Sequence, residues 1–253
     1  MRPAFLFVGL GLLGVAAAAS AQAHHYTVEV VASYPHDPKA FTEGLLWADG
    51  YLYESIGLHG ESALRKVVLQ TGEVKDQYRV ANDYFAEGLA RVGDRLIQLS
   101  WKEHRGFVYD LQTLQPVAHF SYPGEGWGLA WDGERLVMSD GTATLRFLEG
   151  QSYEEMDRIQ VHYRGKPISR LNELAVIKGQ IWANVWRTDL IVRIDPDNGQ
   201  VVGIIHAGSL REQLPAGFKV DVLNGIAYDP EANRIFLTGK YWPRLFQVRL
   251  EPR

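Results

Sequence analysis

The stretches FTEGLLWADGYLYES, at 41–55, and FAEGLARVGDRLIQLS, at 85–100, follow one plan. Each starts with phenylalanine, reaches a Glu-Gly pair, runs through apolar residues, turns at Asp-Gly or Gly-Asp, and continues as a second apolar run. Turn residues of this kind between two short apolar runs are typical of a β-hairpin. Because the same plan is written twice, the sequence predicts a structural repeat.

Three more copies of this phrase follow. TEGLLW at 42 recurs as AEGLAR at 86, GWGLAW at 126, LNELAV at 171 and LNGIAY at 223. The second residues of the copies are separated by 44, 40, 45 and 52 residues, a period in the range of propeller blades. In each copy two further β-rich runs follow the first strand, and the first four copies add a fourth run.

The last copy has only three predicted strands, and a β-rich run at 26–34, YTVEVVASY, belongs to no copy. This run can add to the final sheet and cover an otherwise exposed strand edge. We therefore predict an all-β fold: a five-bladed β-propeller of four-stranded blades, closed by the N-terminal strand pairing with the C-terminal blade. An open solenoid of the same repeats would leave the run at 26–34 without a place.

The N-terminus has the pattern of an export signal. Residues 1–23 contain an early arginine, an apolar run at 4–19 and a small-residue site, Ala21-Gln22-Ala23. The run is shorter than a bilayer-spanning helix, so a retained anchor is the alternative interpretation. We predict a signal peptide at 1–23, a single propeller domain at 24–253, and no membrane association after cleavage.

Composition excludes several classes of protein. The absence of cysteine rules out disulfides and thiolate metal sites, so an ordinary apolar core must hold the fold. A hydrophobic content of 46% and a net charge of −4 argue against disorder and against a nucleic-acid partner. The eight histidines lack the paired spacing of zinc ligands, so no metal site is expected. No long exposed apolar strand demands a partner, and a monomer is expected.

The propeller interpretation places chemistry at one mouth of the central channel. The first strand of a blade lies innermost, and the second returns beside it, so the start of one and the end of the other open together. Taken singly, a glutamate, tryptophan, asparagine or lysine there is more often structural. Their variety favours a functional site built from the first-strand residues Glu43, Glu87, Trp127, Asn172 and Asn224 and the second-strand ends Ser55, Trp101, Asp140, Trp186 and Lys240.

These motifs together resemble the plant and bacterial type of glutaminyl-peptide cyclotransferase. The resemblance covers essentially the whole chain after residue 23 and rests on YPHDPKAFTEGL, FAEGL, Trp127, LNELA with ANVW, and LNGIAYD with LTGKYWP. It implies a five-bladed propeller enzyme, unrelated to the zinc-dependent animal type, that converts N-terminal glutamine into pyroglutamate and releases ammonia. The family's catalytic glutamate matches Glu87, and its other active-site positions match Trp101, Trp127, Asn172, Trp186 and Lys240. The family more often has glutamine where this chain has Glu43.

This reaction assigns expected roles to the residues at the mouth. Glu87 would move a proton between two nitrogens, with a pKa raised by the indoles and by nearby Glu43. Asn172 and Lys240 would donate hydrogen bonds to the oxyanion, and an indole N–H could also bond the carbonyl. No cofactor is required, and the partners would be peptides or proteins with N-terminal glutamine, met in the periplasm or after secretion. The expected substrate-binding residues are Glu43, Trp101, Trp127, Trp186, Phe41, Phe85 and Asn224.

Two other functions remain open from the residues. A calcium-dependent lactonase or sugar-acid hydrolase on a propeller would also use Glu and Asn at the central mouth, although a lysine and three indoles fit it poorly. A non-catalytic propeller that binds peptide N-termini is the second alternative, because fold does not fix function.

Overall fold

The structure is a computed structural model that describes residues 23–253. The predicted signal peptide, except for Ala23, lies outside the described residues. Within residues 23–253 the chain forms 22 strands and one helix of four residues, so the all-β prediction is confirmed. No helix in this part of the chain is long and apolar enough to cross a bilayer.

The first half of the chain forms separate antiparallel sheets that follow one another as blades. The N-terminal strand is β1 (His24–Pro35). The first sheet contains β2 (Thr42–Ala48), β3 (Tyr51–Ile56), β4 (Ala63–Val67) and β5 (Val74–Arg79). The second contains β6 (Ala86–Val92), β7 (Arg95–Ser100), β8 (Arg105–Asp110) and β9 (Pro116–Ser121). The third contains β10 (Leu129–Trp131), β11 (Arg135–Met138), β12 (Thr144–Glu149) and β13 (Glu155–Gln160).

The second half begins with a two-stranded hairpin that the repeat did not predict, β14 (His162–Tyr163) and β15 (Lys166–Pro167). Seven more strands follow: β16 (Leu171–Ile177), β17 (Gln180–Val185), β18 (Leu190–Ile194), β19 (Val201–His206), β20 (Leu223–Asp229), β21 (Arg234–Gly239) and β22 (Arg244–Pro252). The helix α1 (Ser209–Glu212) lies between β19 and β20, in the long connection before the last repeat. Together with β1, these strands form one eight-stranded sheet in the order β16-β17-β18-β19-β1-β22-β21-β20.

Strand β1 joins the two ends of the chain. It pairs antiparallel with β22 from Tyr26 opposite Pro252 to Pro35 opposite Arg244, as the sequence predicted. It also pairs parallel with β19, from His24 opposite Gly203 to Thr27 opposite His206, which the sequence did not predict. This second pairing merges the last two blades into one sheet.

The first strands of successive sheets lie against one another. Contacts connect β2 with β6, β6 with β10, β10 with β16, β16 with β20, and β20 with β2. The approach is close enough that a Cβ on Gly88 would lie 2.4 Å from Leu129 N, and one on Gly128 would lie 2.1 Å from Asn172 O. Glycine is required at these positions because any side chain would separate the strands.

The core lies between neighbouring sheets. In one cluster Val137 and Phe147 of the third sheet pack against Ile181 and Ile194 of the next, and all four are fully buried. Burying side chains of this size stabilises a fold by roughly 1.5–3 kcal/mol each. Packing between sheets therefore fixes the blades against one another and sets the positions of their first strands.

The fourth repeat has a glutamate, Glu173, where the other four have glycine. Its buried side chain reaches from β16 to β2, where Oε1 accepts the N–H of Leu45 at 3.2 Å. Burial raises the pKa of this carboxyl well above its usual value, and the N–H groups of Leu45 and Ile226 offset the increase only in part. We infer that Glu173 is neutral in the folded protein and connects β16 to β2 through its hydrogen bond with Leu45.

Glutamine at position 173 should replace the protonated carboxyl with little loss of stability, whereas alanine should cost about 1–3 kcal/mol because backbone donors lose their acceptor. The folded wild type keeps a proton that the unfolded chain releases, so its stability should fall as pH rises from the ordinary glutamate pKa through the raised one. Glu173→Gln removes this contribution. Urea unfolding at several pH values should show the variant gaining on wild type as pH rises, and parallel pH profiles would contradict the assignment.

Candidate active site

A cavity of about 370 Å³ opens beside the starts of the first strands. Nine of the ten predicted site residues lie on its wall. Asn224 is the tenth, and it lies fully buried behind Glu43. The wall is formed by Phe41, Glu43, Phe85, Glu87, Trp101, Trp127, Asn172, Trp186, Arg187, Asp221, Val222 and Lys240, of which Arg187, Asp221 and Val222 were not predicted.

The repeat explains how these side chains meet. Glu43, Glu87 and Asn172 are the second residues of β2, β6 and β16, and Trp127 lies just before β10 instead of within it. Lys240 directly follows β21, as Trp101 follows β7 and Trp186 follows β17.

Two second-strand ends that were predicted at this mouth, Ser55 and Asp140, are not on the cavity wall and form hydrogen bonds with other residues. The Ser55 hydroxyl accepts a hydrogen bond from Gln98, and the Asp140 carboxylate accepts one from Thr142. The repeat thus predicts the neighbourhood of a residue better than the direction of its side chain.

Lys240 is paired within the cavity. Its Nζ donates to Glu43 Oε1 at 2.6 Å, and Asn224 Nδ2 donates to Glu43 Oε2 at 3.3 Å. All three side chains are buried. A buried ion pair needs further hydrogen bonds to balance its loss of hydration, and Asn224 supplies one. The structure therefore gives Asn224 a position that holds Glu43, where the sequence had suggested direct contact with substrate.

The two buried carboxyl groups of the cavity, Glu43 and Glu87, differ in their charge environment. Burial raises the pKa of Glu87 well above its usual value, and the charge of Glu43 raises it further, while Lys240 opposes both. Burial also raises the pKa of Glu43, but the charge and hydrogen bond of Lys240 work against that increase. Because the ammonium bonds Glu43 directly, we infer that Glu43 is the ionised member and Glu87 holds the proton.

Aromatic rings form most of the remaining wall. On one side Phe85 lies between Phe41 and Trp101, with ring centroids 6.0 and 5.6 Å apart. On the other side Trp127 and Trp186 meet edge to face, with centroids 5.4 Å apart and planes at 85°. Such walls exclude water and strengthen the electrostatic interactions between the charged groups.

Asn172 presents an amide with unused hydrogen-bonding capacity. Its backbone oxygen accepts a hydrogen bond from the Ser139 hydroxyl at 2.7 Å. The Ser139 hydroxyl oxygen in turn accepts a hydrogen bond from Gly128 N at 2.7 Å. The side-chain Oδ1 of Asn172 is buried and has no hydrogen-bond partner among residues 23–253. A buried polar atom of this kind is costly unless a ligand or water satisfies it.

Comparison with known proteins identifies the family. The sequence profile described as "Glutamine cyclotransferase" matches residues 6–250. The chain belongs to this family. It is 47% identical over 228 residues to the glutaminyl-peptide cyclotransferase of Arabidopsis thaliana, covering 88% of this chain and 71% of the Arabidopsis protein. The crystal structure of Myxococcus xanthus glutaminyl cyclase superposes with a TM-score of 0.87 at 38% identity, over 92% of this chain and all of that one.

In this glutamine cyclotransferase the segment that carries Phe41 is fixed by a buried charge network that sequence reasoning missed. His36 bonds Glu54 Oε1 at 2.9 Å and the carbonyl of Trp242 at 2.6 Å. Burial alone would lower the pKa of His36, but Glu54 and the Trp242 carbonyl raise it above the usual value. A protonated His36 then donates from both ring nitrogens and ties the segment to the first and last sheets.

Glu125 is a second residue that the sequence did not single out. Its Oε2 accepts the indole N–H of Trp101 at 2.8 Å and that of Trp127 at 2.9 Å. These two N–H groups already donate to Glu125, so the prediction that an indole N–H could bond a substrate carbonyl now applies to Trp186, the third indole of the cavity. Glu125 lies in the loop between β9 and β10, outside the repeated phrase, so the repeat carried no signal for it.

No cluster of three or more His, Cys, Asp or Glu side chains in the described part of this glutamine cyclotransferase is arranged to hold a metal ion. The cation beside the cavity carboxyl groups is the ammonium of Lys240.

Glu43→Gln should lower the pKa of Glu87, because it removes a neighbouring negative charge and leaves Lys240 free to stabilise the Glu87 carboxylate. The pKa can be followed by NMR titration of ¹³C-labelled glutamate carboxyl groups, with Glu87 assigned through Glu87→Gln. Glu103→Gln is the matched control, since the same change at a more weakly interacting acid should give a smaller decrease. An unchanged or increased Glu87 pKa in Glu43→Gln would refute this electrostatic account.

Proposed function

We propose that this protein is a glutaminyl-peptide cyclotransferase that converts the N-terminal glutamine of peptides and proteins into pyroglutamate and releases ammonia. The observation that carries the proposal is Glu87, a buried carboxyl with a raised pKa in an aromatic cavity beside Asn172 and Lys240. Membership of the glutamine cyclotransferase family supports the same activity. The reaction needs one group that exchanges protons with nitrogen, and Glu87 has the right environment.

Glu87 acts as the proton carrier. The α-amine of the substrate attacks its own side-chain carbonyl carbon, forming the ring C–N bond and a tetrahedral intermediate. Glu87, which begins protonated, delivers its proton to the amide nitrogen, which leaves as ammonia when its C–N bond breaks, and takes a proton from the attacking nitrogen. The carboxyl ends in the protonation state in which it began. Because the pKa of Glu87 is raised, it lies closer to the pKa of the amine, so neither proton transfer is strongly uphill.

Asn172 and Lys240 stabilise the oxyanion of the intermediate. An ammonium group has three N–H donors, so Lys240 keeps donors available after bonding Glu43. Asn172 lines the same cavity, and its side-chain Nδ2 is a hydrogen-bond donor. Donors held in place before the reaction stabilise developing charge better than mobile water does.

The remaining wall residues hold the substrate folded. Trp101, Trp127 and Trp186, with Phe41 and Phe85, enclose the glutamine side chain and bring its carbonyl carbon to the amine. Glu43 acts through Lys240, because its carboxylate holds the Lys240 ammonium in place. Asn224 lies behind Glu43 and holds it in turn.

The two alternative functions are less well supported. A calcium-dependent hydrolase would need carboxylates free to bind the metal ion, whereas Lys240 already occupies the cation position beside Glu43. A module that only binds peptides gives no reason to place a carboxyl group with a raised pKa in this aromatic cavity. Ammonia release from a glutaminyl peptide separates binding from catalysis, and unchanged turnover in the presence of a chelator separates this enzyme from the calcium-dependent class.

The proposal extends to the architecture and location of the protein. The closed series of contacts from β2 through β6, β10, β16 and β20 back to β2 supports a five-bladed propeller of four-stranded blades, with β1 completing the last. The pattern at 1–23 supports a cleaved signal peptide before a single catalytic domain at 24–253. We place the mature enzyme in the periplasm or outside the cell, as a monomer without nucleic-acid or membrane partners.

Glu87→Gln should lower the rate of cyclisation by about 100- to 10,000-fold, because the amide cannot carry a proton. Asn172→Ala should lower it by roughly 100-fold through loss of an oxyanion donor. The assay is ammonia release from a glutaminyl dipeptide, with mass spectrometry of the peptide and circular dichroism of the variants. Glu154→Gln, at an exposed position far from the site in sequence, is the control that should keep the full rate. Wild-type turnover by Glu87→Gln would exclude Glu87 as the proton carrier.

A further inference from the structure

One oxygen atom connects two walls of the cavity. Glu125 Oε2 accepts the N–H of Trp101 at 2.8 Å and the N–H of Trp127 at 2.9 Å. Trp101 follows β7 in the second sheet, and Trp127 precedes β10 in the third. Glu125 is not itself on the cavity wall. A single carboxylate thus links rings that belong to different blades.

The hydrogen bond from Trp127 to Glu125 also affects the third indole, Trp186, which packs against Trp127. Trp127 meets Trp186 edge to face, so the orientation of Trp127 also sets the surface against which Trp186 packs. An indole has one hydrogen-bond donor, and a bond from that donor to a carboxylate restricts rotation of the ring. Fixing Trp101 and Trp127 therefore shapes much of the aromatic wall.

Glu125 is suited to this because it remains ionised. Partial burial would raise its pKa, but the hydrogen bonds from Trp127 and Trp101, together with Lys102, lower it below the usual value. Lys102 adds to the arrangement from outside, with Nζ 3.6 Å from Glu125 Oε1 and 3.8 Å from the centre of the Trp101 ring.

We propose that Glu125 is a positioning residue for the glutamine-binding wall: it directs the N–H edges of Trp101 and Trp127 away from the substrate and holds both rings in the orientation that encloses it. Glu125 acts only through the two indoles and does not touch the reacting atoms. This inference rests on the proposed cyclotransferase activity for its catalytic consequence, but the two hydrogen bonds can be tested without turnover.

The kinetic test compares two substitutions with wild type on a glutaminyl dipeptide. Glu125→Ala removes the acceptor, and kcat/KM should fall at least about ten-fold while the thermal midpoint and circular dichroism stay near those of wild type. Glu125→Gln removes the same charge but keeps an amide oxygen that can accept both N–H groups, so it should recover most of the loss. Equal damage from both substitutions, or none from Glu125→Ala, would overturn the proposal.

A double-mutant cycle tests whether Glu125 acts through the indoles. Phenylalanine keeps an aromatic wall but has no N–H, so Trp101→Phe combined with Trp127→Phe provides a background in which Glu125 has nothing to hold. Adding Glu125→Ala there should change kcat/KM less than about two-fold. A further ten-fold loss in that background would show that Glu125 acts by another route and would contradict the proposal.

The third test needs no activity. In ¹H–¹⁵N spectra the indole N–H signals of Trp101 and Trp127, assigned through the two phenylalanine variants, should both move upfield and exchange faster in Glu125→Ala, and return toward wild type in Glu125→Gln. Unmoved signals would refute the shared acceptor. If the signals respond as predicted but wild type releases no ammonia from glutaminyl peptides, the proposed function fails while the two hydrogen bonds stand.

Discussion

The close approach of the first strands is the constraint on which the cavity depends. Gly88 N donates to Trp127 O at 2.6 Å, and a Cβ at Gly88 or Gly128 would collide with the backbone of the next strand. Glu87, Trp127 and Asn172 stand at these contacts, so a shift of one strand would carry its functional side chain with it. Packing between sheets holds the strands, and the absence of side chains at the glycines lets them meet. In the fourth repeat Glu173 replaces the glycine, and its side chain accepts a hydrogen bond from Leu45 N of β2.

Burying two carboxyl groups with one ammonium determines the chemistry of the cavity. Lys240 can neutralise only one of them, and two carboxylates in a site of low dielectric constant repel each other strongly. Because Lys240 and Asn224 both bond Glu43, the proton is held by Glu87. The same arrangement that makes the pair costly to bury displaces the pKa of Glu87 toward that of an amine.

The sequence predicted much of this because the same phrase starts each repeat. The spacing of Glu43, Glu87 and Asn172 put each at the same point of its blade, and the ends of the second strands added Trp186 and Lys240. The repeat did not predict which side chains contact one another. Nothing in the repeat indicates that Lys240 bonds Glu43, that Asn224 lies behind it, or that Glu125 joins two indoles. Each of these contacts depends on the direction of a side chain, which the spacing of the strands does not determine. The parallel pairing of β1 with β19 was missed because strand periodicity identifies a strand but not its second neighbour.

The central claim is that one proton resides on Glu87 while Glu43 and Lys240 form an ion pair. Neutron diffraction from deuterated crystals, at a pH about one to two units above the ordinary glutamate pKa, observes these hydrogen positions directly. The account predicts a deuteron on a carboxyl oxygen of Glu87, none on Glu43, and three on Lys240 Nζ. A deuteron on Glu43 with Glu87 ionised, or two ionised carboxylates, would contradict it.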